Sequence, residues 1–235
     1  MSPAPIAEAV LGRVVAGNNA WIGRIAPDRD APNPRPTDDL VWNRELERAW
    51  PDVRAEWDAF VEGGGQLPRI EEVIDEHQGN VGPWRAGLLV ARGRPVTELV
   101  RSFPLTLAAL GRVPGLWSAL WSVMEPGTEL PEHRGPNAGV LRYHLGVRCP
   151  LGAALEVGGR EVPYQDGVGI LFDDTRPHAA WNRSSVERVT LFVEVLRPLP
   201  ALPRWWNRRV QGLLALDPRY RRAAGRTDRW RPWEQ

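Results

Sequence analysis

Lysine is missing altogether: all 30 basic residues of the chain are arginine. A P-loop needs a lysine to reach its phosphates and pyridoxal chemistry needs one for its Schiff base, so both classes are excluded. Cysteine occurs once, at Cys149. A single thiol forms no intramolecular disulfide and no cysteine-based zinc cluster. With Pro150 after it and no base beside it in a recognised motif, Cys149 does not read as a nucleophile. An excess of one charge is also absent. The 30 basic and 29 acidic side chains leave a formal charge of +1, which makes no case for a nucleic-acid partner. No apolar run reaches the roughly 18 residues of a transmembrane segment. The first residues, MSPAPIAEAVLGRVVAG, have no early basic region and read as a short helix, not a signal peptide. The expected compartment is the cytoplasm.

What is present suggests one domain, 1–235, in three parts. In 1–113, apolar residues at helical spacing over 4–16 predict a first helix, and the Pro- and Asp-rich stretch 26–39 predicts a loop. Asp38 and Asp39 are expected to cap the next helix. Trp42, Leu46, Trp50, Val53, Trp57 and Val61 recur near every 3.6 residues, with a kink or break at Pro51 and a stop at Gly63–Gly65. The stretch 94–115 suggests further helix, so this part reads as mainly helical. The character changes at Pro114. From Leu116 to Pro198 short β-like runs alternate with turn residues: LWSALWSVM, then turns over EPGTELPEH, then GVLRYHLGV. AALEVGGREVPY reads as a hairpin turning at Gly158 and Gly159, followed by DGVGILFDD and RVTLFVEVL. Short strands at regular spacing indicate a jelly roll. In 199–235, Trp206, Val210, Leu213 and Leu214 predict one apolar face of a C-terminal helix, followed by a basic tail. The fold class expected is mainly β with flanking helices, a double-stranded β-helix (cupin-like) core.

Period-two alternation places side chains on faces. In VLRYHLGV, Leu141, Tyr143, Leu145 and Val147 share one face, and Arg142, His144 and Gly146 the other. In RVTLFVEVL, Val189, Leu191, Val193 and Val195 oppose Arg188, Thr190, Phe192 and Glu194. If the second faces line the jelly-roll interior, Arg142, His144 and Arg188 lie inside it. Buried arginines need anions, and a small dicarboxylate supplies two. His133 is expected in a turn before GVLRYHLGV, and His178 follows another strand. Two histidines at separate strand ends suit a non-haem iron site of two histidines and one carboxylate. The carboxylate is normally two residues after the first histidine, and here that position is Gly135.

The stretch from Ser122 to Pro198 resembles the aspartyl/asparaginyl β-hydroxylase family of Fe(II)- and 2-oxoglutarate-dependent dioxygenases. WSVMEPGTELPEHRGPNAGVLRYHLGV is similar to that family's first signature, GVGILFDDTRPHAAWN to its second, and ERVTLFVEVLRPLP to the strand that ends the catalytic core. The segments around WNRELERAWPDVRAEWDAF and LPRWW resemble flanking parts of bacterial members more loosely. The resemblance implies a histidine pair, His133 and His178, as iron ligands, with Gly135 where the carboxylate would be. It implies Arg188 and Ser122 on the distal carboxylate of 2-oxoglutarate, and Arg142 and His144 near the carboxylate closer to the metal. Asp174 would hold an iron-bound water or orient a ligand. Fe(II), 2-oxoglutarate and O2 are then the implied cofactor set, with succinate formed as an unactivated C–H is hydroxylated.

An amino acid, a peptide or a carrier-bound aminoacyl group is the expected substrate. The alternative is a lipid acyl chain, because some bacterial relatives hydroxylate lipid A and the nine arginines from Arg204 onward face only Asp217, Asp228 and Glu234. Peripheral membrane contact through that C-terminus follows from the alternative. Halogenation, in which halide fills the vacant position, and a non-catalytic cupin-like binding protein are the other readings. His77 reads as a surface residue, not a third ligand.

Overall fold

The computed structural model describes residues 3–73, 79 and 81–214, with side-chain placement from residue 11 onward. His77 and the tail 215–235 lie outside the described residues. Ten antiparallel strands form two sheets. The larger has the order β2(Arg94–Pro95), β1(Trp84–Ala91), β3(Leu116–Met124), β10(Arg188–Leu196), β5(Val140–Arg148), β8(Gly169–Phe172). The smaller has the order β4(Thr128–His133), β9(His178–Asn182), β6(Ala153–Val157), β7(Arg160–Pro163). From β3 onward the chain crosses from one sheet to the other at every connection except the β6–β7 hairpin, which is the jelly-roll crossover. The hairpin at Gly158 and Gly159 is as expected: both have positive φ, 62° and 72°, the mirror-image turn whose twist suits a two-residue hairpin.

Helices α1(Pro3–Ile25), α2(Val41–Arg48), α3(Trp50–Glu62), α4(Ile70–Val73) and α5(Pro104–Leu110) precede the core, and α6(Ala201–Leu214) follows it. The first helix is longer than the 4–16 expected. Pro51 breaks the chain between α2 and α3 and sits in the first turn of α3, where its missing N–H costs nothing. The expected Asp38/Asp39 cap is not formed. Leu40 is the N-cap residue and has no side-chain cap bond. The N-terminal part is also less helical than its periodicity suggests. WRAGLLVA forms β1, which pairs along β3 in the core sheet. A near-continuous apolar run with one buried face suits a strand shielded on its other side, and helical counting misses it.

Leu46, Val53, Trp57 and Phe60 turn inward from α2 and α3 onto the larger sheet. They meet Trp121 and Val123 of β3, Leu141, Tyr143 and Leu145 of β5, and Val189, Leu191 and Val193 of β10 in one cluster. The aliphatic faces found by alternation are therefore turned away from the sandwich and covered by helices. The opposite faces of the same strands look toward the smaller sheet, where a second cluster gathers Leu155, Val157, Tyr164, Ile170 and Phe172. Trp121 has ring centroids 4.8 Å from Trp57 and 4.9 Å from Phe103 and is fully buried. Trp121→Ala is expected to cost about 3–5 kcal/mol by urea unfolding. A loss below about 1 kcal/mol would show that the helices do not rely on this face.

Candidate active site

The site is built where β4 and β9 meet the interior faces of β5 and β10. β4 and β9 pair with a register shift after Leu130, and the shift brings His133 and His178 opposite each other. Neither is in a turn, as the sequence suggested for His133. It ends strand β4, and His178 opens strand β9, because PEH and HAAWN extend the pairing to the sheet's rim. Their ring centroids are 4.1 Å apart. His133 Nδ1 lies 2.9 Å from the Pro131 carbonyl oxygen and His178 Nδ1 3.0 Å from that of Arg176. A carbonyl only accepts, so each Nδ1–H donates to it and each Nε2 is the ring nitrogen left for another partner. Burial, with His133 and Arg142 nearby, pushes His178 down to about 4, so its ring is neutral near pH 7.

Gly135 is occupied space. A Cβ there would overlap the Asp174 carboxylate, at Oδ2 and Cγ. The Gly135 N–H donates to the Asp174 carbonyl oxygen at 2.7 Å, which locks the two segments together. The vacancy two residues after His133 is thus filled from another loop. Asp174 is completely buried, and burial raises its carboxyl above the usual range, against the pull of Arg142. Its Oδ2 stands 3.0 Å from Arg142 Nη2, an ion pair without hydrogen-bond alignment. The same Arg142 Nη2 bonds Glu194 Oε1 at 2.9 Å, and its guanidinium lies 4.5 Å from the Phe192 ring centroid. The next residue along, Asp173, pairs with Arg197 and Arg35, two largely buried arginines. Burial raises the Asp173 carboxyl, but Arg197 and two bonds from Thr175 outweigh it and hold it below the usual range.

Arg188 is in a different position. It is 2% exposed, and among the described residues it pairs with no carboxylate. Its Nη2 donates to Ser122 Oγ at 3.2 Å, its guanidinium lies 4.8 Å from the Tyr164 ring centroid, and its Nε has no partner. The Ser122 hydroxyl is held from the other side by Trp84 Nε1 at 3.0 Å. Thr190 Oγ1, one interior position further along β10, is likewise buried without a partner. His144 places Nδ1 2.9 Å from the Tyr164 hydroxyl and leaves Nε2 buried and unpaired. Burial, then Arg188 and Arg142, lowers its pKa well below the ordinary value, so this ring too is neutral. His144 is 5.1 Å and His178 5.5 Å from the Phe172 ring centroid, so Phe172 links His144 to the histidine pair.

All seven expected site residues thus lie in one contiguous group between the sheets, on β3, β4, β5, β9, β10 and the turn before β9. Arg142 differs from expectation in already having two carboxylate partners. Glu194 and Thr190 share its interior face, and the alternation along β10 was the signal for them. Trp84 and Tyr164 had no signal, because they arrive from β1 and from the turn after β7. No group of three or more His, Cys, Asp or Glu placed to hold a metal occurs among the described residues. The two histidines stand without a third ligand of that kind.

These residues make the chain a jelly-roll protein with a histidine pair at the rim of its smaller sheet and a buried arginine facing inward. The family model described as aspartyl/asparaginyl β-hydroxylase matches residues 47–198, and the chain belongs to that family. It is 33% identical to an ornithine lipid ester-linked acyl 2-hydroxylase of Rhizobium tropici over 75% of this chain and 65% of that protein. It is 29% identical to the human aspartyl/asparaginyl β-hydroxylase over 66% of this chain and 21% of that protein. The chain therefore spans less than two thirds of the length of either relative. A prolyl-4-hydroxylase structure from Pseudomonas putida is a looser likeness, at 19% identity and a TM-score of 0.37, over 66% of this chain and 87% of that one.

Two outcomes follow from this geometry. Gly135→Ala should lower stability by about 1–3 kcal/mol through the overlap with Asp174, and adding Asp174→Gly should recover most of it. Additive losses in urea unfolding would refute the contact. Cys149 is pushed up to about 12, chiefly by burial, so its thiol should resist iodoacetamide at about pH 8 until urea is added. Stoichiometric labelling of the native chain within minutes would contradict this.

Proposed function

We propose that this chain is an Fe(II)- and 2-oxoglutarate-dependent dioxygenase that hydroxylates an unactivated C–H bond. The observation that carries the reading is Arg188: a buried guanidinium with a hydroxyl partner, an unpaired Nε and no counter-charge among the described residues. A buried cation of this kind is stable only with an anion at hand, and its planar fork suits a carboxylate. The distal carboxylate of 2-oxoglutarate would meet Arg188 and Ser122. The end nearer the metal would lie by His144 and Arg142. His133 and His178 would hold the iron through Nε2, since both Nδ1 atoms are engaged by carbonyls. Iron(II) bound with 2-oxoglutarate supplies oxidising power, coupling cosubstrate decarboxylation to succinate with transfer of one oxygen atom of O2 to the substrate carbon.

The chain's own residues orient and shield. The Pro131 and Arg176 carbonyls set the imidazole tautomers. Asp174, placed over Gly135 beside the pair, offers two acceptor oxygens to a water at the site. Arg142, pinned by Glu194, keeps that carboxylate facing the cavity. Ile170 and Phe172 line the wall and exclude bulk water, which strengthens the Arg188 interaction.

For the substrate we favour an acyl chain carried by an amino-acid-headed lipid over a free, peptide or carrier-bound amino acid. The Rhizobium relative named for acyl hydroxylation aligns with more of this chain, and at higher identity, than the human β-hydroxylase does.

Anaerobic titration with Fe(II) and 2-oxoglutarate is expected to give the weak visible charge-transfer band of the chelate, lost in His133→Ala and His178→Ala. Arg188→Ala should raise the 2-oxoglutarate requirement by a factor on the order of 100. Wild-type-like turnover by the His178 variant would sink the ligand assignment. Succinate release with gain of one oxygen on lipid acyl chains supports the favoured substrate. The same gain on an amino acid or peptide alone would replace it, and a chlorinated product would replace hydroxylation itself.

A further inference from the structure

Helix α6 carries two faces that a purely intramolecular role does not explain. Its docked side is short and polar: Asn207, Val210 and Gln211 are buried. Asn207 Nδ2 donates to the Gly139 carbonyl at 2.8 Å, Gln211 Nε2 donates to Asn137 Oδ1 at 3.0 Å, and Asn18 Nδ2 donates to Asn207 Oδ1 at 3.3 Å. The apolar face expected from the sequence, Trp206, Val210, Leu213 and Leu214, is not what is buried. Only Val210 of that set is fully covered. Leu202 is 72% exposed, Trp205 54%, Trp206 42% and Leu213 44%. At about 3.6 residues per turn, Leu202, Trp206 and Leu213 fall in one narrow sector, with Trp205 beyond Arg209 at its edge. Four large apolar side chains on one exposed flank mark an interaction surface, not a solvated helix.

The charges on the same helix say what kind. Ala201–Leu214 holds Arg204, Arg208 and Arg209 and no acidic residue. Among the described residues none of the three arginines forms an ion pair. Arg209 instead lies 5.3 Å from the Trp205 ring centroid. Tryptophan beside arginine along an amphipathic helix is the composition that partitions into the headgroup region of an anionic bilayer: the indoles take the interface and the guanidiniums the phosphates. A protein partner would need matching acids and an apolar groove, whereas a lipid surface supplies both chemistries at once.

We propose that α6 is a membrane-docking helix that seats this chain on an anionic lipid surface through Leu202, Trp205, Trp206 and Leu213, with Arg209 among them and Arg208 at their flank on headgroup phosphates. The site is tied to this helix. Asn137 and Gly139, which α6 holds, follow His133 and Gly135 on the same connection. Docking therefore seats at the bilayer the helix that restrains this connection. Only the delivery of an acyl chain rests on the function proposed above, and the docking itself does not.

The test is flotation of the full chain with vesicles of phosphatidylglycerol and phosphatidylcholine, and of phosphatidylcholine alone. The expected result is binding to the anionic vesicles that falls with salt. Trp205→Ser with Trp206→Ser should weaken it at least about tenfold. The double change Arg208→Gln and Arg209→Gln should weaken it roughly 30-fold. All these side chains are exposed, and retention of the Fe(II)–2-oxoglutarate band reports an intact core. No binding to anionic vesicles at low salt would overturn the proposal. So would unchanged binding by both variants, which would assign it to residues 215–235, or loss of a dimer in the variants with no vesicle binding. Binding of lipid without the chelate band would leave the docking standing and overturn the dioxygenase reading instead.

Discussion

A guanidinium enclosed between two β-sheets must be given a counter-charge, and this requirement organises the molecule. In an ordinary sandwich the two inner faces are apolar and interdigitate. Here β5 and β10 turn their aliphatic faces outward and present Arg142, His144, Arg188 and Thr190 to the inside. That arrangement is stable only because α2 and α3 cover the outer face with Leu46, Val53, Trp57 and Phe60, joined by Phe103 at the N-terminal cap of α5. The helices are therefore part of the site's energetics. They bury the face that would otherwise be driven inward by the hydrophobic effect.

The two interior arginines answer the requirement differently. Arg142 is neutralised within the protein by Asp174 and Glu194, and so serves as a fixed strut. Arg188 is held by hydroxyl and ring contacts that orient it without neutralising it. One fold thus contains a settled charge and an unsettled one on neighbouring strands, and the unsettled one is where a ligand gains most. Asp174 connects this electrostatic pattern to the histidine pair. It fits over the bare Cα of Gly135, bonds that residue's N–H through its own carbonyl, and stands beside Asp173, which Arg197 and Arg35 anchor. Loss of a side chain at one position and burial of a carboxylate at another are a single packing event.

The connection from His133 to Val140 is restrained from outside the sandwich. Asn19 on α1 donates to the Pro136 carbonyl and accepts from the Ala138 N–H, while α6 holds Asn137 and Gly139. Terminal helices thereby set the position of the rim that carries one of the two histidines.

The strand alternation, the Gly158–Gly159 turn, the inward arginines and the His133/Gly135/His178 pattern were all legible in the chain by itself. The first three depend on residue identity at short, fixed spacing, and the histidine pair on the family resemblance of the motifs around it. The excluded chemistries also followed from composition, since a missing lysine or a single cysteine is missing in every conformation. Tertiary structure alone decided the rest. Helical periodicity could not find β1, because an apolar run bordering a sheet is defined by the neighbour it meets. Which face of α6 is buried depended on Gly139 and Asn137, which are over sixty residues away in the chain. The most consequential case is Asp174: its position over Gly135, its ion pair with Arg142 and its burial arise from three separate segments. A buried charge's partner is chosen by distance in space, and distance in space is what a linear sequence does not carry.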